Sequence, residues 1–229
     1  MSFPLDGVSL DEPILDGPRL RPQAGGAPTS LVVLLHGYGA DGRDLIDLGN
    51  AWAPLLPRAA FVSPHAPDPC GQAPMGRQWF PLTFRDPHEL TRGAEEAAPV
   101  LRAFLEVELA KLDLTPDRLT LVGFSQGAMM ALKVGLAEDF RPAGILAISG
   151  LWVDAQTPRT VPFVNPPPIL LMHGEDDEVI PAPALFASAK ALTAAGAPVE
   201  WHLSPGLGHG IDDVEVAQGG AFLARCLGA

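Results

Sequence analysis

Six short apolar segments, each of strand length, constrain this chain more than any other feature. They are LVVLL (31–35), AAFV (59–62), LTLVGF (119–124), GILAIS (144–149), PILLMH (168–173) and VEWHLS (199–204). Most are apolar without alternation, the pattern of strands covered on both faces. Helix-patterned sequence lies between several of them. The spacing predicts helices over about 99–112, with Pro99 in the first turn, and over about 183–195, stopped by Gly196. A last helix follows Asp212 and Asp213, which suit an N-cap and a first turn. Together these predict an α/β fold with a mainly parallel central sheet and helices on both faces. VEWHLS alternates, placing Val199, Trp201 and Leu203 on one side, and reads as a strand near the sheet edge.

The remaining segments fit around this frame. Residues 1–30 read as turns with one or two antiparallel edge strands. Residues 63–90 and 151–167 are rich in proline and irregular, as loops that border sites often are. The second is too short for a large lid domain. A chain of 229 residues suits a single compact domain over 1–229.

Composition excludes several classes of function. Hydrophobic residues at 47% against 18% charged rule out a disordered chain. A formal net charge of −12 argues against nucleic acid and anionic membrane surfaces, which need clustered Lys and Arg. No apolar run approaches the roughly 18–20 residues of a membrane span, so stable membrane insertion is not expected. The N-terminus lacks a basic start followed by an apolar block, which reads as cytoplasmic. Cys70 and Cys226 have no metal-like spacing, and a pair of thiols fits such a location better than a disulfide.

The chemistry begins at Gly123-Phe124-Ser125-Gln126-Gly127. This G-x-S-x-G pattern is weak alone, but here an apolar strand runs into the serine and a small-residue helix follows at once. That strand–turn–helix setting is what a nucleophile elbow requires. The turn strains the serine backbone and lifts its hydroxyl from the sheet, and side chains at 123 or 127 would collide there. The bland alternative is an ordinary turn with a surface serine.

A serine nucleophile needs two backbone N–H groups aimed at the oxyanion. Gln126, at the start of the following helix, offers one. Strand 31–35 runs into His36-Gly37-Tyr38-Gly39, where the glycines allow close approach and the Tyr38 N–H is the natural second donor. His36 precedes the serine in the chain, against the α/β-hydrolase order of Ser, acid, His, so a structural role in the loop suits it better. Of the six histidines, only His209, in SPGLGHGID, follows the last strand on a glycine-flanked loop able to fold over the sheet.

The blocks HGYGADGRDL, GRQWFPL, GFSQGAMMAL, HGEDDEVIP and GLGHGI resemble, in order, the phospholipase/carboxylesterase family of α/β-hydrolases, which is similar to acyl-protein thioesterases. The resemblance spans residues 31–211. It implies a Ser–Asp–His triad built on Ser125 and His209, with oxyanion N–H groups from Tyr38 and Gln126. The family often carries leucine at the Tyr38 position, so the acyl pocket is expected to differ. Trp79 matches the family's W-F block beside the cleft; the alternative is a core tryptophan under a long loop.

The acid is the least settled member. HGEDDEVIP carries Glu175, Asp176, Asp177 and Glu178 in a row. Asp177 matches the acid of the family's H-G-x-x-D pattern, with Val179 and Ile180 packing the turn. Asp176 is the neighbouring alternative, and Asp154 a candidate one strand earlier. Four consecutive residues cannot converge on one ion, and no metal is expected.

These readings make the chain a serine carboxylesterase for esters of short to medium acyl chain, needing no cofactor, with Tyr38, Trp79 and Val179 as candidate pocket walls. The substrate would be a small-molecule or lipid-like ester. A lysophospholipase or acyl-protein thioesterase shares the same machinery, and a non-catalytic binding protein on the same fold is the alternative of another class. An exposed apolar rim would suit a lipid tail or a homodimer partner.

Overall fold

The computed structural model describes residues 15–71, 73–83, 86, 88–157, 159 and 161–229. Among the described residues there are nine strands: β1 (Arg19–Leu20), β2 (Ser30–Leu35), β3 (Ala59–Val62), β4 (Asp68–Pro69), β5 (Arg77–Gln78), β6 (Leu119–Phe124), β7 (Gly144–Ile148), β8 (Ile169–Gly174) and β9 (Val199–Ser204). The helices are α1 (Ile46–Trp52), α2 (Glu89–Leu112), α3 (Gln126–Gly135), α4 (Pro183–Ala194) and α5 (Asp213–Leu227).

Seven strands form one sheet in the order β1-β3-β2-β6-β7-β8-β9. All neighbours pair in parallel except β1, which runs antiparallel to β3. The unbroken apolar runs are buried because helices cover both faces. Leu31, Val33 and Leu35 of β2 belong to one core with residues of α2, α3 and α4. Val32 and Leu34 face the other way, onto Trp52 of α1 and Phe222 and Leu223 of α5. β9 lies at the sheet edge, as its alternation predicts. Its Trp201 is 53% exposed and meets Phe186 edge-on, with ring centroids 5.2 Å apart.

Two elements differ from the sequence-based expectation. α2 begins ten residues earlier than predicted, so Pro99 sits in its interior rather than its first turn. An interior proline frees the carbonyl four residues back, here that of Glu95. Both residues are on the exposed side of the helix, where water can satisfy that carbonyl. α1 has no counterpart in the prediction; only seven residues long, it shows too little periodicity to be read. Of the N-terminal region, β1 supplies an antiparallel edge strand, and residues 1–14 lie outside the described residues. The 63–90 segment holds the two-residue ribbon β4–β5. Residues 151–157, 159 and 161–167 carry no helix or strand. Among the described residues, no helix is long and apolar enough to cross a membrane.

Candidate active site

Parallel pairing decides where the site forms. Because β2, β6, β7, β8 and β9 run the same way, the loops leaving their C-terminal ends share one edge of the sheet. These loops carry Tyr38, Ser125, Ser149, Asp177 and His209.

Ser125 occupies the turn between β6 and α3 with φ 54° and ψ −117°, a backbone conformation that costs on the order of 1–3 kcal/mol for a non-glycine residue. The flanking glycines are required by contact. A Cβ on Gly123 would stand 2.2 Å from the Gly127 carbonyl oxygen, and one on Gly127 would stand 1.9 Å from that of Leu35. Ser125 N–H donates to the Ile148 carbonyl at 2.9 Å, which anchors the elbow to β7.

The loop after β2 is held from beneath. The Ala66 N–H donates to His36 Nε2 at 3.0 Å, so the ring hydrogen lies on Nδ1 and is donated to Gly37 O at 2.8 Å. Burial pushes the His36 imidazole down to about 4, outweighing the Gly37 bond. It therefore stays an uncharged strut at neutral pH, matching the structural role read from its place in the chain. Gly39 takes φ 81°, and its N–H donates to Arg77 O at 2.9 Å. Tyr38 is half-buried; a hydrogen bond with Cys70, reinforced by burial, pushes its phenol up to about 12. Among the described residues, no backbone carbonyl accepts from the N–H of Tyr38 or of Gln126.

The Gln126 side chain has a role its sequence position did not reveal. Its Oε1 accepts the Trp79 N–H at 2.9 Å and its Nε2 donates to Phe80 O at 2.8 Å. The Trp79 indole is 2% exposed and donates to His36 O at 3.0 Å. This is the position of a core tryptophan beneath the loop, one of its two sequence readings. Trp79 thus ties the loop after β2 to the start of α3 through its indole and its backbone.

The four acids of 175–178 separate cleanly. Glu175, Asp176 and Glu178 are exposed, whereas Asp177 is 5% exposed. Its Oδ1 accepts the N–H groups of Val179 at 2.9 Å and Ile180 at 2.8 Å. Its Oδ2 accepts from His209 Nδ1 at 2.7 Å. Burial raises the Asp177 pKa, but the His209 bond and the two backbone donors outweigh it and hold the carboxyl below its ordinary value. Asp154 is instead paired with Lys133 at 3.2 Å, away from His209. Val179, 63% exposed, stands on the rim of the acid turn.

The histidine loop reaches this turn because Gly174 has no side chain. A Cβ there would lie 2.3 Å from the carbonyl oxygens of both Leu207 and Gly208. Asp176 N–H donates to Leu207 O at 2.9 Å, and Ser149 Oγ donates to Gly210 O at 3.3 Å. His209 lies against Phe124, the residue before the serine, with ring centroids 4.9 Å apart. The Asp177 bond places its ring hydrogen on Nδ1 and leaves Nε2 able to take a proton. Among the described residues, no hydrogen bond joins Ser125 Oγ to His209, and no cluster of His, Cys, Asp and Glu is placed to hold a metal ion.

A family model described as Phospholipase/Carboxylesterase matches residues 23–227. Esterase YpfH of Escherichia coli (strain K12) is 31% identical over 183 residues, covering 80% of this chain and 77% of its own. Acyl-protein thioesterase 1 of Gibberella zeae is 28% identical over 224 residues, covering 87% and 91%. The crystal structure of esterase PE8 superimposes with a TM-score of 0.87 at 43% identity, over 93% of this chain and 99% of that one. The topology and these neighbours establish an α/β-hydrolase fold.

Proposed function

Since the chain belongs to the phospholipase/carboxylesterase family, we propose that it is a serine carboxylesterase acting on carboxylic esters of short to medium acyl chain. The observation that carries this reading is the 2.7 Å bond between buried Asp177 and His209, formed beside the strained turn that presents Ser125. His209 Nε2 takes the Ser125 proton as Oγ attacks the acyl carbonyl, and Asp177 stabilises the imidazolium that results. The N–H groups of Tyr38 and Gln126 hold the oxyanion, each worth about 2.7–4 kcal/mol in the transition state. His209 then protonates the leaving alcohol. Water, activated by the same base, attacks the acyl-enzyme and releases the acid and Ser125. The scheme uses no cofactor. Tyr38 and Val179 border the substrate, and Trp79 supports the oxyanion loop from below.

The likeness to an acyl-protein thioesterase over 87% of the chain supports a second reading, hydrolysis of a thioester by the same residues. A lysophospholipid would be cleaved by the same steps. The deciding experiment labels the protein with a fluorophosphonate. The wild-type chain should be modified at Ser125 and lose esterase activity, and Ser125→Ala should do neither while remaining folded. A folded wild-type protein that resists labelling would instead be a silent binding module. Short activated esters, a lysophospholipid and an S-acylated peptide, compared by kcat/KM, then separate the substrate classes.

A further inference from the structure

The carboxylate of Asp177 has a second histidine beside it. His173, on β8, is fully buried; its Nε2 lies 2.7 Å from the Ile180 carbonyl oxygen and 3.3 Å from Asp177 Oδ2. A carbonyl oxygen only accepts, so the ring hydrogen lies on Nε2 and points to Ile180, with the carboxylate a second, longer acceptor. The Ile180 N–H is itself a donor to Asp177 Oδ1. One imidazole therefore reaches the oxygen that receives His209 and also pins, through its carbonyl, the residue whose N–H grips the other oxygen.

A packing role alone does not account for this ring. His173 Nδ1 is buried without a hydrogen-bond partner among the described residues. Leaving a buried polar atom unsatisfied is unfavourable, and an apolar side chain of similar size would avoid that cost. What the imidazole adds is the Nε2–H.

We propose that His173 is a positioning residue of the esterase: its Nε2–H fixes the turn 174–180 so that Asp177 Oδ2 stays aligned with His209. The inference rests on Ser125, Asp177 and His209 acting as the triad. It distinguishes two histidines on one carboxylate. His209 exchanges protons with the substrate, while His173 keeps the acceptor in place.

The test compares His173→Leu with His173→Gln, because the glutamine Nε2–H has about the reach of the imidazole Nε2–H. Leu should lower kcat about tenfold or more with little change in KM, as a small misplacement of a catalytic group does. It should also move the acid limb of the kcat/KM profile to lower pH, since a poorly held carboxylate stabilises the imidazolium less. Gln should recover most of both. If Leu does not fold, His173→Asn, whose amide is too short to reach, replaces it in the comparison with Gln. A folded Leu or Asn variant with wild-type kcat and an unmoved acid limb overturns the proposal, even if its Tm has changed.

A double-mutant cycle with Asp177→Asn separates this inference from the triad itself. If His173 acts through Asp177, adding His173→Leu to Asp177→Asn changes kcat by less than about twofold. Multiplicative losses would show an independent role and refute the positioning assignment. Wild-type turnover by Asp177→Asn alone would remove the triad, a result distinguishable from failure of the His173 inference.

Discussion

His209 Nδ1 and Asp177 Oδ2 meet at 2.7 Å although 32 positions, with a helix and a strand between, separate them in the chain. Adjacent parallel strands make the meeting possible. β8 and β9 pair from Ile169↔Val199 to Gly174↔Ser204, so the turns that leave them start side by side. Gly174 then lets the two turns touch backbone to backbone.

The acid assignment separates neighbouring residues. Asp177→Asn should lower kcat by about 10⁴, since the amide no longer fixes the histidine tautomer or balances the imidazolium. Asp176→Asn, at an exposed position, should stay within about twofold of wild type. Steady-state kinetics on one activated ester checks both, and a crippled Asp176→Asn enzyme would move the triad by one residue.

At the elbow, Gly123→Ala and Gly127→Ala each drive a methyl into backbone carbonyls about 2 Å away. Backbone cannot yield as a flexible side chain does, so each should cost about 2–4 kcal/mol or prevent folding. The denaturant midpoint, compared at unchanged m-value, measures the loss. Gly25→Ala offers a contrast: nothing lies within 4 Å of its added Cβ, and only its φ of 72° is unfavourable.

Gln126→Ala leaves the backbone N–H of this position in place but removes both side-chain bonds to Trp79 and Phe80. Two buried backbone groups lose their partners, at about 1–3 kcal/mol each. Stability should fall accordingly, and kcat should drop about tenfold through the loosened loop. Unchanged kcat with lowered stability would confine the brace to folding.

Glu215 supplies a pH-dependent test outside the triad. It lies fully buried in the first turn of α5, and among the described residues neither oxygen makes a well-aligned hydrogen bond. Burial, together with the Asp212 charge, pushes it up to about 7, and the nearby Ser204 hydroxyl and Asp212 N–H offset only part of this. Its folded pKa is thus above its ordinary value of 4.5. The native state then holds a proton that the unfolded chain has released, so stability declines from about pH 4.5 and levels off above about 7. Glu215→Gln should match wild type near pH 4.5, exceed it at pH 8, and flatten the curve between. Asp177 has the opposite sign: its lowered pKa contributes stability above the ordinary carboxylate value, lost as pH falls through its own pKa. Denaturation midpoints across pH 4–8 read the Glu215 trend, and the Asp177 trend is read by extending the series below its ordinary value of 3.8.

Much of the fold was legible because its strands are buried on both faces and carry unbroken apolar runs. The predicted 59–62, 119–124 and 199–204 coincide with β3, β6 and β9. α1 and the first turns of α2 were not, since their boundaries depend on packing against the sheet and on the solvent exposure of Pro99. In the site, the G-x-S-x-G elbow and the glycine-flanked His209 were visible as local patterns. His173 lies only four residues from Asp177, but the folded turn is needed to bring its Nε2 to that carboxylate. The brace from Gln126 to Trp79 and Phe80 and the tie from Ser149 to Gly210 join residues far apart in the chain. They leave no local pattern to read.

The sequence alone determined which backbone could form: parallel strands buried on both sides, a serine turn admitting only glycine beside it, and one loop histidine after the last strand. These follow from local sterics and from the burial of apolar runs. Only the tertiary structure decided which of four consecutive acids turns inward. Glu175, Asp176 and Glu178 share the charge of Asp177, but Asp177 alone sits where two backbone N–H groups and His209 converge to offset the cost of burying a carboxylate.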